Sequence, residues 1–242
     1  NGGETANYEA KIEGKDKYIS LEDAFDAAED GDTITLLADV HLSEPLSTGD
    51  DITLDLAGYT VTAAEEKHVL LVSAGTLTLK DSSMTNAGKL TGGTGSNARG
   101  GGVTVQNGAT FIMEGGTITG NDGGTQSAGG VHLHNNATFI MKGGVITGNR
   151  SGYYYGGVYA GGGSVRVSGL VTITGNKGID GGTEIDSNLW LDTLNDGFLQ
   201  IGEEGLAENA KVGIYINSSR FEDYKAFTYP YGAGKVSAGN FS

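Results

Sequence analysis

Apolar and polar residues alternate along most of this chain in runs of three to five. Thr33-Ile34-Thr35-Leu36, Thr76-Leu77-Thr78-Leu79 and Thr117-Ile118-Thr119 are examples. Period-two alternation over so few residues predicts short strands with one face buried. Gly or Asn separates the runs, as tight turns require, because Gly accepts a positive φ at little cost. One stretch differs. Ser20-Leu21-Glu22-Asp23 resembles a capping box, and Leu21, Ala24, Phe25 and Ala28 fall on one helical face. This predicts a short amphipathic helix that stops at Gly31.

The strand pattern repeats. Gly101-Gly102-Val103 recurs at Gly129-Gly130-Val131 and at Gly156-Gly157-Val158, with steps of 28 and 27 residues. Phe111-Ile112-Met113 recurs as Phe139-Ile140-Met141. Thr117-Ile118-Thr119-Gly120-Asn121 recurs as Val145 to Asn149 and as Thr172 to Asn176. Each unit holds three alternating stretches; in the second they are Val131 to His134, Thr138 to Lys142 and Val145 to Thr147. Three strands and three turns in ~25 residues make one coil of a parallel β-helix, stacked ~4.8 Å above the last. The predicted fold is all-β: a right-handed parallel β-helix of about seven three-strand coils over residues 32–216. Residues 1–31 form an N-terminal segment with the helix as a cap. Residues 217–242, with the aromatic stretch Phe221 to Tyr231, form a C-terminal cap or the start of a following segment.

Alternation assigns the faces. Val103, Val131 and Val158 point inward, as do Phe111, Phe139 and Val165, then Met113, Met141 and Val167, then Ile118, Ile146 and Ile173. Asn121, Asn149 and Asn176 recur at one turn and read as an amide ladder satisfying turn backbone. Glu114 aligns with Lys142 and predicts an ion pair between coils.

Composition narrows the function. Gly is 43 of 242 residues, far above the average of about 7%, while Pro is only 2, which fits many tight turns and not a disordered chain. There is no Cys, so no disulfide or thiolate chemistry is available. No apolar run approaches the ~18 residues of a membrane span, and neither a signal peptide nor a lipid anchor is evident, so an excised domain is expected. The net charge of −15 disfavours nucleic acid and anionic membranes as partners. That charge is uneven: residues 1–50 carry thirteen acids against three bases, whereas 97–176 carry only Glu114 and Asp122 against four bases.

Three segments carry a family resemblance. Ser20 to Val40, Ile52 to Val61 followed by Leu77 to Ser82, and the Met113 to Asn121 block resemble pectate-lyase-like right-handed β-helix repeat domains. Those domains occur in large adhesin-like surface proteins of Gram-positive, often gut-dwelling, bacteria. The resemblance implies a secreted or cell-wall-attached module acting in adhesion or as a display scaffold, with glycans or surface proteins of host or microbe as partners.

Enzymes on this fold are the alternative. A polysaccharide lyase needs clustered carboxylates for Ca²⁺ and a base; a glycoside hydrolase needs two carboxylates within several ångströms. Glu114 and Asp122 lie on different segments, Asp50-Asp51 reads as a turn, and Asp180, Glu184 and Asp186 form the other acidic stretch. No catalytic residue, metal or cofactor is therefore expected. His132-Leu133-His134 puts two imidazoles on one strand face, but the aligned Thr104 and Tyr159 add no carboxylate, so exposed polar residues are expected there. Tyr153-Tyr154-Tyr155 lies in the turn before Gly156, and Tyr159 points outward one coil above His132. These four Tyr, with His132 and His134, are the candidate ligand site, an exposed aromatic patch suited to stacking on sugars. The recurring Thr-x-Thr is broken by Val145 and reads as ordinary strand surface. A passive stalk is the remaining reading.

Overall fold

The computed structural model describes residues 7–96, 99–191, 198–215 and 228–230. Nearly all its regular structure is β, arranged in a fifteen-stranded sheet, a seven-stranded sheet and one two-stranded hairpin. The chain visits three faces in rotation. Thr33–Leu36 opens the first, Val40–His41 the second and Leu46–Thr48 the third. Ile52–Asp55, Thr60–Thr62 and Leu70–Val72 then lie parallel to them in the same order. The rotation continues upward through Thr110–Met113, Thr117–Thr119 and Val131–Leu133.

The inward residues stack in register. Val103, Val131, Val158 and Leu189 pair in sequence, and so do Phe111, Phe139, Val165 and Leu199. All eight are fully buried. The rings of Phe111 and Phe139 stack with centroids 5.3 Å apart and planes at 11°, an offset geometry that adds to the burial of apolar area. Met113, Met141 and Val167 form a parallel column, and Ile118, Ile146 and Ile173 another.

The Asn ladder is continuous. The Oδ1 of Asn149 accepts from the backbone N–H of Asn121 at 3.2 Å and from its amide at 3.0 Å. Asn176 serves Asn149 in the same way, and Asn188 serves Asn176. At the lower end Asn121 Oδ1 accepts from Gly93 N–H. Every rung thus satisfies turn backbone that no strand ladder reaches. Lys142 reaches Glu114 at 3.0 Å, as the alignment predicts.

Four details differ from expectation. The helix spans Leu21–Ala27 and stops short of Gly31, since Ala28 already has an extended backbone with φ −75° and ψ 144°. Ser20 Oγ accepts from Asp23 N–H, the forward half of a capping box, and Glu9, from another segment, accepts from the free N–H of Leu21 in the first turn. Thr138–Thr147 is one strand, not two. It crosses from the first face to the second at Gly143-Gly144, where the following Ser164–Ile173 strand stays paired with it around the corner. An antiparallel hairpin of Lys177–Asp180 and Thr183–Asp186 forms a sheet of its own, tied to the parallel rounds by a bridge between Arg150 and Lys177.

The lower end is closed. Leu21, Ala24 and Phe25 of the helix are buried in the core, and Ala10–Ile12 pairs antiparallel along the first strand edge. Of the stretch Phe221 to Tyr231, only Thr228–Pro230 lies within the described residues, paired parallel to Leu199–Ile201. Among the described residues no helix is long and apolar enough to cross a membrane.

Candidate functional site

The outward column of the third face carries the aromatic chemistry. Leu71, Thr104, His132, Tyr159 and Trp190 are successive register partners. Their side chains leave the sheet away from the core, yet Thr104 is fully buried, His132 is 5% exposed and Trp190 is 8% exposed. The expectation that His132 is an exposed polar residue is therefore wrong. The cause is local: the turn before each strand folds back over that strand. Gly100 N–H donates to Thr104 Oγ1 at 2.8 Å, and Ala128 N–H donates to His132 Nδ1 at 3.3 Å.

In the next round that covering turn is Tyr153-Tyr154-Tyr155. Tyr155 packs on Tyr159 at 4.1 Å between centroids and meets Trp190 edge-on at 5.5 Å. Tyr154 stacks on Trp190 at 5.0 Å with planes at 28°. Tyr153 lies on top, edge-on to both Tyr154 and Tyr155, and is 43% exposed. Below, the His132 ring contacts Tyr159 at 5.0 Å and His134 at 5.1 Å. All six residues singled out in the sequence thus belong to one contiguous cluster, to which the structure adds Trp190.

The aromatic turn is pinned through its backbone. Ile179 N–H donates to the Tyr153 carbonyl at 2.8 Å, the Ser187 hydroxyl donates to that of Tyr154, and Gly129 N–H donates to that of Tyr155 at 3.0 Å. Two of these donors flank or belong to the antiparallel hairpin, and the third comes from the round below. Three consecutive carbonyls held from two sides fix the rings in place, the preorganisation a stacking site needs.

Burial, and then the imidazole of His134, lower the pKa of His132 to about 4. His132 is neutral near pH 7, with the Nδ1 lone pair engaged by Ala128. Around the cluster the formal charges are paired: Lys177 with Asp186 at 2.8 Å and Glu184 at 3.7 Å, and Arg150 with Asp122 at 2.8 Å. Asp186 and Glu184 hold the Lys177 amine above its ordinary pKa.

Carboxylates elsewhere serve the backbone. Asp81 accepts from Gly58, Ser83 and Gly88 N–H, and Asp55 from Ala57 and Ser82 N–H while facing Lys80 at 3.5 Å. Asp39 and Asp30 accept from Thr60 and Asp51 N–H. Among the described residues no three His, Asp or Glu side chains gather into a group that could hold a metal ion.

Trp190 escaped the sequence reading because the hairpin insertion lengthens the step from Val158 to Leu189 to 31 residues. Its signal was the alternation Leu189-Trp190-Leu191, which matches Val158-Tyr159-Ala160. No protein-family model matches the chain, and comparison with curated proteins and with solved structures finds no match.

Proposed function

We propose that this chain is a right-handed parallel β-helix of about seven coils, and that it works outside the cell as a non-catalytic adhesion or display module. Its ligand is a glycan, engaged by stacking on the Tyr153 ring, with Tyr154, Tyr155, Tyr159 and Trp190 as the rigid support. The observation that carries this reading is the cluster itself. One Tyr ring stands 43% exposed on four further aromatic rings, on a turn whose three carbonyls are all tied down. Isolated surface aromatics are ordinary; a pinned, layered group on a polar surface is the form that stacking sites take. The absence of Cys and the family resemblance support an extracellular, secreted or wall-attached setting.

The rival lyase or hydrolase reading draws no support from Asp55 and Asp81, whose oxygens are occupied by turn N–H groups. Affinity electrophoresis through gels cast with neutral or acidic polysaccharides separates the readings. Retarded migration with no new reducing ends or unsaturated products supports a binding module. Product release makes the chain an enzyme, and unretarded migration in every gel leaves the stalk.

A further inference from the structure

The two buried back-bonds on the third face differ in one respect. Gly100 N–H is accepted by Thr104 Oγ1, a hydroxyl that accepts at any pH. One round higher, Ala128 N–H is accepted by His132 Nδ1, which accepts only while it is unprotonated. Thr104 and His132 are register partners, and the donor sits four residues before the acceptor in both. The same structural bond is therefore made once by a group without a titration and once by a group with one.

We infer that His132 is a proton-operated latch on the turn Gly124 to Ala128. Protonation at Nδ1 sets an imidazolium N–H against the Ala128 N–H, removes the bond, and charges a ring that has almost no contact with water. Both effects release the turn from the outward face and withdraw the packing beneath Tyr159. This inference does not depend on the glycan reading, since the latch is defined by the turn alone.

Among the described residues no counter-charge faces the imidazolium. His134 faces it from its own strand and Tyr159 from the strand above. Thr104 lies on the strand below, and the Gly100 turn, which follows the exposed Arg99, packs under its Cβ. No carboxylate is among the described groups acting on it; burial and His134 both oppose its charge.

Amide hydrogen exchange of the wild-type chain by NMR, expressed as protection relative to the unstructured rate at each pH, tests the latch. In the opened turn His132 titrates near its ordinary value of 6.5, in the closed turn near 4. Opening at Ala128 then becomes about 30-fold more frequent at pH 5.0 than at pH 7.5. The Asn121 amide, held by Asn149 Oδ1, is the internal control: it reports opening of the core, so its protection stays about 10-fold or more above that of Ala128 at pH 5.0. His132→Thr keeps an acceptor at the position, as Thr104 does, and should make the protection of Ala128 independent of pH. A wild-type Ala128 protection that tracks Asn121, or a fall in His132→Thr equal to that of wild type, overturns the inference.

Discussion

Tyr154 stacks on Trp190 although 36 residues separate them, so the turn of one round is bound to the strand of the next by two aromatic rings. Trp190 is the sole Trp of the chain, so indole emission reports on the cover that Tyr154 and Tyr155 give it. Tyr154→Ala should expose the indole, shift its emission to longer wavelength, and cost about 2–3 kcal/mol of stability. Tyr153→Ala removes the exposed ring above and should leave the emission unchanged at a cost below about 1 kcal/mol. Equal emission in the two variants would mean that Tyr154 does not cover Trp190.

The Asn ladder and the Glu114–Lys142 pair both link successive rounds, but they differ in burial. Asn149→Ala takes the acceptor from the backbone N–H of Asn121 and the amide donor from the carbonyl of Ile118, both in the interior, while the Asn121 amide keeps the Leu90 and Thr119 carbonyls. A loss of about 3 kcal/mol in urea unfolding is expected. A double-mutant cycle on Glu114 and Lys142, each more than 40% exposed, should give about 0.5 kcal/mol and less in high salt.

Gly130 shows why Gly-Gly-Val recurs. A Cβ there would stand 2.5 Å from the Gly157 carbonyl oxygen and 3.0 Å from the Ile146 side chain, so the close approach of one round to the next leaves no room. Gly108, with φ of +80°, has open space around it and needs Gly only for its backbone angle. Gly130→Ala should cost about 3 kcal/mol or more by urea unfolding, and Gly108→Ala about 1 kcal/mol. Equal losses would remove the stacking argument.

Stability should fall in mild acid. Between its folded pKa of about 4 and its ordinary 6.5, His132 binds a proton in the unfolded chain that it does not bind when folded. Its contribution is therefore complete above pH 6.5 and declines as pH drops toward 4, by roughly 3 kcal/mol across that window. His68, lowered by burial and then by Arg99 and Lys67, acts in the same direction. Urea unfolding of His132→Thr should show a shallower slope of stability against pH from 6.5 to 4. An unchanged slope would mean that His132 is solvated in the folded chain.

Much of the core was legible because its period-two alternation and its 27- and 28-residue repeat agree. Two inward columns repeat one residue type at one register, from Val103 through Val158 and from Ile118 through Ile173. The Asn ladder was legible for the same reason. What alternation cannot show is a second layer. It places His132 outside the sheet, correctly, but does not reveal that the Ala128 turn folds back over it. Trp190 and the hairpin were hidden by the insertion of Lys177–Asp186, which breaks the period. The strand running through Gly143-Gly144 was hidden because Gly pairs ordinarily mark turns; Gly144 does take a positive φ of +91°, yet pairing with Ser164–Ile173 resumes across it after a register shift.

A glycan array probed with the wild-type chain and with Tyr153→Ala tests the proposed function most directly. Wild type should bind one group of glycans selectively, with the affinity lost by about 10-fold or more in a variant that unfolds at nearly the same urea concentration. Glycan binding retained in Tyr153→Ala would move the site away from the aromatic turn. Silence of the wild type across the array would contradict the glycan reading and leave a scaffold that only displays or spaces.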